Sequence, residues 1–345
     1  MQRRPLTLLF LNPYTNKMRK LVFLLAIIIG YSSLINAQNY NQKEPFAHTF
    51  SIVARDTVTG EMAVGVQSHW FSVGSLVSWA KSGVGVVATQ SFVNPAFGPD
   101  GLKLMEEGIS AEKALNQLIE ADNGRDFRQL ALLDKNGSVS SYTGAKCVQS
   151  AHHIIGDNFA VQANMMLNDD VVPAMEKAYI ENADLPLAER VVQVLLAAQK
   201  AGGDIRGKQS AVLLVVGPDK VAEWQDKKIN LRVDDHKDPL PELSRLLFVH
   251  RAYDHMNKGD LAVEHGDMAL ALSEYATAEK MQPENIEMKY WKAITLANNN
   301  MLDQALPIFK IVFNKDPNWR EMTKRLPASG LLIISENELQ SILKQ

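Results

Sequence analysis

The sequence predicts an α+β protein in which a layered sandwich of sheets and helices, residues 48–246, precedes an all-α region, residues 247–345. Three observations predict it. Strand-like runs, a helix, more strands, a helix pair and a last strand come in segregated blocks, as in sheets covered by helices. An Asn136-Gly137 pair joins two apolar runs, the strongest short signal of an antiparallel hairpin. A period of 34 residues organises the last third of the chain.

The elements follow in order. Phe50–Ala54 and Met62–Val66 are strand-like runs separated by Asp56-Thr57-Val58-Thr59-Gly60-Glu61, whose Asp, Thr and Gly are turn formers, so they predict a β-hairpin. Gly83–Thr89 reads as a third strand with glycines where neighbouring backbone approaches closely. Ser110 can cap a helix over Ala111–Ala121, with Leu115, Leu118 and Ile119 on one face. Gln129–Leu133 and Ser138–Tyr142 form the Asn-Gly hairpin. Residues 169–181 and 186–200 are helical by spacing, and Gly202-Gly203 ends the second helix. Ser210–Val216 is a near-continuous apolar run, the pattern of a strand buried on both faces. Neither standard glycine-rich phosphate loop is present.

In the last third, Gly266, Ala271, Tyr275, Ala278 and Pro283 are matched 34 residues later by Asn300, Ala305, Phe309, Val312 and Pro317. Gly259 and Ala293 hold the matching small position of each preceding helix. This pattern, residues 252–319, resembles the tetratricopeptide repeat, whose small residues let paired helices pack closely. Two units bury little core, so they are expected to lean on the first domain or on residues 320–345.

Of the 345 residues, 46% are hydrophobic and 22% charged, and the net charge is −3 without a long run of either sign. That excludes the clustered basic face of a nucleic-acid binder. Met18-Arg19-Lys20, an apolar stretch from Leu21 to Ile29 and the ending Ile35-Asn36-Ala37 are the parts of a secretory signal. The apolar stretch is shorter than the ~20 residues a spanning helix needs. Met18 is the better start, cleavage after Ala37 would leave Gln38 first, and residues 38–47 read as a linker. The expectation is an exported protein, periplasmic or secreted, with no membrane span after cleavage. Its single cysteine, Cys147, cannot form an internal disulfide and reads as a small buried residue.

The stretches Thr49–Asp56, Gly85–Gln90, Asn94-Pro95, Arg128-Gln129, Thr143-Gly144, Gly202–Ala211 and Leu231–His236 resemble the Ntn-hydrolase-like family catalogued as domain of unknown function 1028. The resemblance spans residues 48–246 and implies a four-layer αββα sandwich. The chemistry of that superfamily singles out Thr49, because a threonine at a freed N-terminus carries both a nucleophilic hydroxyl and its own base. An α-amine with a pKa of about 7.7–8.0 is partly unprotonated at neutral pH. Signal cleavage alone leaves residues 38–48 ahead of Thr49, and an amide nitrogen is no base, so this chemistry requires a second cut between His48 and Thr49.

Three further residues join the catalytic expectation. Lys81 lies beside the Gly83–Thr89 strand, where a lysine of proteasome-type relatives lowers the nucleophile's proton affinity, and Arg55-Asp56 closes the strand that carries Thr49. Thr89, Gln90 and Asn94 at one strand end, with Thr143, Asp204, Arg206 and Gln209 at others, suit a small polar substrate with an amide and an acid group. Asp234-Asp235-His236 and His152-His153 carry metal-ligand chemistry, but adjacent strand side chains point apart, so neither metal nor cofactor is expected. The functional expectation is an amide or peptide hydrolase of the N-terminal-nucleophile type, with the repeats docking a protein partner or a second copy. The alternative is a non-catalytic sandwich that holds a polar ligand and is coupled to a protein-docking repeat module, and a third, weaker option is a metal-assisted hydrolase using His236 or His153.

Overall fold

The computed structural model of the chain describes residues 46–345. The signal-like segment and residues 38–45 of the linker lie outside the described residues. No helix among the described residues is long and apolar enough to cross a membrane.

Two antiparallel sheets are followed by a helical C-terminal region. One sheet holds β1 (Phe46–Ala47), β4 (Ser78–Lys81), β5 (Gly85–Phe92), β6 (Arg128–Asp134) and β7 (Val139–Thr143). The other runs in the order β11 (Lys227–Val233), β10 (Ser210–Val216), β3 (Met62–Ser68), β2 (Thr49–Arg55), β9 (Phe159–Ala163), β8 (His152–Gly156). The expected hairpins form with the expected partners: Thr49 faces Ser68 across β2–β3, and Gln129 faces Thr143 across β6–β7. Phe46 and Ala47, expected to end a linker, instead pair with Phe92 and Ser91 as an edge strand.

Helices α1 (Phe97–Glu106) and α2 (Ala111–Ala121) pack on the first sheet through Leu102, Leu115, Leu130 and Leu132. The Ser110 hydroxyl caps α2 by accepting from the Lys113 N–H, as its position in the sequence predicts. Helices α3 (Val171–Glu181) and α4 (Leu187–Lys200) pack on the second sheet through Phe50, Ile52, Val191 and Leu195. A third buried cluster, with Val53, Val64, Val86 and Leu214, lies between the sheets. Successive strand residues point to opposite faces, so each strand divides its side chains between a helix-facing layer and the inter-sheet layer. Gly85 shows why the third strand needs glycine, since a Cβ there would stand 2.5 Å from the Leu133 carbonyl oxygen.

The boundary expected at residue 246 falls inside a 26-residue helix, α5 (Pro239–Glu264). Leu240, Leu243 and Leu247 of α5 join the sandwich core, while Ala252, Met256 and Ala262 join a separate helical core. Arg251 on the same helix makes two hydrogen bonds, 2.8 and 3.0 Å, to the Glu189 carboxylate on α4. Helices α6 (Met268–Met281), α7 (Ile286–Asn298), α8 (Leu302–Lys315), α9 (Asn318–Ser329) and α10 (Glu336–Leu343) complete the region. The 34-residue matches share backbone sign and burial. Gly266 and Asn300 both have positive φ, 74° and 60°. Ala271 and Ala305, Tyr275 and Phe309, and Ala278 and Val312 are all buried. A Cβ on Gly259 would lie 2.4 Å from the Tyr275 ring, so glycine sets the approach of α5 to α6.

Candidate functional site

Strand alternation turns Thr49 and Ser51 of β2, Ser68 of β3, Gln90 of β5, Gln129 of β6 and Gln162 of β9 toward the space between the sheets. All of them are fully buried, as is Asn164 just beyond β9. Buried amides and hydroxyls are stable only when bonded, and these bond one another. Ser51 Oγ donates to Gln90 Oε1 at 2.7 Å, and Gln90 Nε2 donates to the Thr49 carbonyl at 3.1 Å and to Gln129 Oε1 at 2.7 Å. Asn164 Nδ2 donates to Gln129 Oε1 at 2.9 Å, while its Oδ1 lies 2.5 Å from His48 Nδ1. Gln129 Nε2 donates to the Ala163 carbonyl and to Thr143 Oγ1, each at 2.9 Å. Thr143 Oγ1 in turn lies 2.8 Å from His153 Nδ1.

The peptide joining His48 to Thr49 has a distinctive setting. Its carbonyl oxygen accepts from Ser68 Oγ at 2.5 Å and from Arg206 Nη2 at 2.9 Å. Arg206 is held by two bonds to Asp204, Nε to Oδ1 at 3.0 Å and Nη2 to Oδ2 at 2.7 Å. Asp204 is buried, and its Oδ2 also accepts from the His69 N–H. An arginine locked this way cannot swing aside, so it presents a fixed positive donor to that oxygen. The Thr49 hydroxyl donates to the Ala47 carbonyl at 3.0 Å. Burial drives the His48 imidazole down to about 4, outweighing the opposite effect of its bond to Asn164, so His48 is neutral at physiological pH.

Left-handed backbone at non-glycine residues occurs at the same end of the sheets, and once at the Arg55 end, at Asn158. Ser91, Ser150 and Met165, none of them glycine, have φ of 74°, 57° and 59°. Such conformations cost on the order of 1–3 kcal/mol each and gather at functional sites.

The expected site residues divide into groups. Thr49, Gln90, Thr143, Asp204 and Arg206 are brought together. Gln209 is close by, its N–H on the Ser68 carbonyl, but its side chain turns to Asp235. Thr89 is a neighbour of Gln90 in the strand and so points the other way, where its hydroxyl donates to the Asn94 carbonyl. Asn94 lines a separate cleft between α1 and α2. Arg55, Asp56 and Lys81 do not join Thr49. Arg55 ends β2 about 20 Å from Thr49, at a rise of about 3.3 Å per residue. It donates to Asn158, while Asp56 accepts from the Val58 and Thr59 N–H groups and closes the hairpin turn. Lys81 faces Gly85, at the opposite end of β5 from Gln90, and pairs with Glu106 on α1.

Sequence reasoning missed His48, Ser51, Ser68, Gln162, Asn164 and the connecting role of Gln129. A signal was present in β9, where Gln162 and then Asn164 alternate with Val161 and Ala163, a polar face on a strand with no polar exposure. Cys147 is half-buried, donates to the Arg128 carbonyl at 3.3 Å, and has its thiol pKa raised by burial, which keeps it protonated. Among the described residues, no three His, Cys, Asp or Glu side chains come together as metal ligands would. Trp224 is 84% exposed, whereas Trp79 and Trp291 pack against core clusters.

Comparison with known proteins extends to family and fold. Nothing matches among curated proteins. The chain is similar to protein SPO2555 from Silicibacter pomeroyi, whose crystal structure has been solved and which is assigned to DUF1028. The two are 29% identical with a TM-score of 0.53, over 58% of this chain and 84% of that one. Residues 49–243 match the family of unknown function DUF1028, a span that begins at Thr49 and takes in every strand but β1, and the chain belongs to that family.

Proposed function

We propose that the protein is an N-terminal-nucleophile hydrolase of amide or peptide bonds, acting on a small polar substrate outside the cytoplasm, with Thr49 as nucleophile. On this reading the helix-flanked pair of sheets is the αββα sandwich of that class. The 34-residue units are tetratricopeptide-like repeats that dock a protein partner or a second copy.

One observation carries the reading: the His48–Thr49 carbonyl oxygen is gripped by Ser68 Oγ and Arg206, and the next residue bears a hydroxyl. Two donors on one carbonyl oxygen are the arrangement that stabilises the oxyanion of acyl transfer. Attack of Thr49 Oγ on the His48 carbonyl carbon would form an ester as the C–N bond breaks, the hydroxyl proton passing to the nitrogen. Water then splits the ester, leaving a His48 carboxylate and a free Thr49 amine. That amine becomes the base for the same hydroxyl, and a substrate carbonyl takes the place that His48 held between Ser68 and Arg206.

The second reading, a binding sandwich without chemistry, is favoured by the complete burial of Thr49 and by its hydroxyl's bond to Ala47. Intact-mass measurement of the exported protein separates the two. A chain beginning at Thr49, retained in wild type and lost in Thr49→Ala and Arg206→Ala, supports the hydrolase. A chain that keeps His48 joined to Thr49 while hydrolysing amides would reject the threonine mechanism.

A further inference from the structure

Residues 46–48 lie against the rest of the molecule as a bound peptide would. β1 is two residues long and fills an edge of β5 that β4 leaves open. β4 pairs with Gly85–Ala88, whereas Ala47 faces Ser91 and Phe46 faces Phe92. Ala47 is fully buried in the cluster between the sheets. His48 is buried as well, its ring edge-on to Phe92 at 5.9 Å and its Nδ1 2.5 Å from Asn164 Oδ1. Its carbonyl oxygen takes the Ser68 and Arg206 donors, and the Thr49 hydroxyl donates to the Ala47 carbonyl. The main chain, a side chain and a carbonyl of one short segment are thus each received by a different part of the site.

A cut after His48 changes what holds this segment. While joined to Thr49, residues 46–48 are kept in place by the high effective concentration of a tethered group. A separate peptide retains two residues of strand pairing and the contacts of one side chain, which is marginal in water. Its departure opens the Ser91–Phe92 edge of β5, where unpaired backbone groups are a template for another extended chain. It also removes the partners that His48 supplies to Asn164, Ser68 and Arg206.

We propose that residues 46–48 mark the place of the substrate: a short extended peptide adds to the Ser91–Phe92 edge with a small residue at the Ala47 position and an imidazole or carboxamide side chain at the His48 position, and is cut after the latter. The inference rests on the hydrolase reading and gives its substrate a class. A residue larger than alanine would have to displace the packed inter-sheet cluster. Imidazole and carboxamide each offer a donor and an acceptor, so both meet the Asn164 amide whichever way it is turned. The burial that keeps His48 neutral disfavours a charged side chain there. Thr49 Oγ forms an ester with the peptide's acyl carbon while the C–N bond breaks. The hydroxyl proton passes through the Thr49 amine to the leaving nitrogen, and water splits the ester to a carboxylate.

Peptide anilides test this on the purified full chain once intact mass has identified its first residue. Expected are a start at Thr49 and release of aniline from acetyl-Phe-Ala-His anilide. Glutamine in place of the histidine should retain cleavage. Leucine there should lower kcat/KM about tenfold, the size of one lost hydrogen bond. Leucine in place of the alanine should lower it by about as much through overpacking. The free acid acetyl-Phe-Ala-His should inhibit competitively. A chain that starts at Thr49 and hydrolyses other amides, but cuts the Ala-His and Ala-Leu peptides equally or not at all, overturns this proposal and leaves the hydrolase reading standing. A chain that keeps His48 joined to Thr49 overturns both, because the groove then stays filled.

Discussion

At the Thr49 end of β2 the polar side chains are wholly buried and bonded to one another, whereas at the Arg55 end they make local turns and ion pairs near the surface. The difference lies in the side chains that were chosen. Amides and hydroxyls dominate the Thr49 end, joined by one ion pair, Arg206–Asp204, whereas at the other end exposed ion pairs and a turn-closing Asp56 share the load with solvent. A buried network of neutral groups fixes orientation and protonation at once, because each donor leaves its neighbour one role. Surface ion pairs fix neither. Function is therefore sought at the first end, and stability at the second rests on packing.

The comparison breaks most visibly at Gln129. Gln129→Leu keeps the volume and removes the hub, stranding the Ala163 carbonyl, Asn164, Gln90 and Thr143. Several buried groups left unpaired at 1–3 kcal/mol each predict a loss of about 4 kcal/mol in unfolding free energy, measured by chemical denaturation. A loss below about 1 kcal/mol would mean that the network adds nothing beyond its volume.

Acid probes the same end more gently. The folded His48 pKa lies near 4, below its ordinary value of 6.5, so the unfolded chain takes up the proton first. Stability from this group is complete above pH 6.5, declines as pH falls, and is fully lost once pH passes below about 4. The full loss is on the order of 3 kcal/mol. His48→Gln should flatten that part of the stability–pH curve, and an unchanged slope would remove His48 from the account.

Packing is the term to disturb outside the network. A Cβ on Gly98 of α1 would lie 2.2 Å from the Trp79 ring on β4, beside Lys81. Gly98→Ala should cost about 2 kcal/mol by forcing that ring to move, and the thermal midpoint should fall accordingly.

Much of the architecture was legible in the sequence because it rests on period and turn chemistry. The Asn136-Gly137 hairpin, the Ser110 cap and the fully apolar β10 each follow from residues close in the chain. The 34-residue match was legible too, down to Asn300 standing where Gly266 needs a left-handed backbone. Half of the site was legible, because Thr49, Gln90, Thr143, Asp204 and Arg206 sit at strand ends that converge. The rest was hidden by two physical facts. Strand parity sends Thr89 and Gln90 to opposite faces, and no run of sequence shows which face is inner. Network partners such as Ser51 and Gln162 are 111 residues apart, and short polar residues in strands look alike whether or not they bond. Lys81 was drawn to Thr49 by analogy with proteasome-type relatives and Arg55 by sharing its strand, yet one sits at the far end of β4–β5 and the other at the far end of β2.

The smallest expected effect tests that last point. Lys81 and Glu106 are paired with side chains 45% and 32% exposed, and Lys220 shares the same carboxylate. Lys81→Ala leaves Glu106 with its second lysine and with water, so the thermal midpoint should not move measurably. If Thr49 is a nucleophile, its activation comes from groups that reach it, namely its own amine and the Ser68–Arg206 pair. The rate and pH dependence of any amide hydrolysis, and the mass of the purified chain, should then be the same in Lys81→Ala as in wild type. A shifted pH–rate profile in this variant would mean that the far end of the sheet acts on Thr49 through space, and the division between the two ends would have to be abandoned.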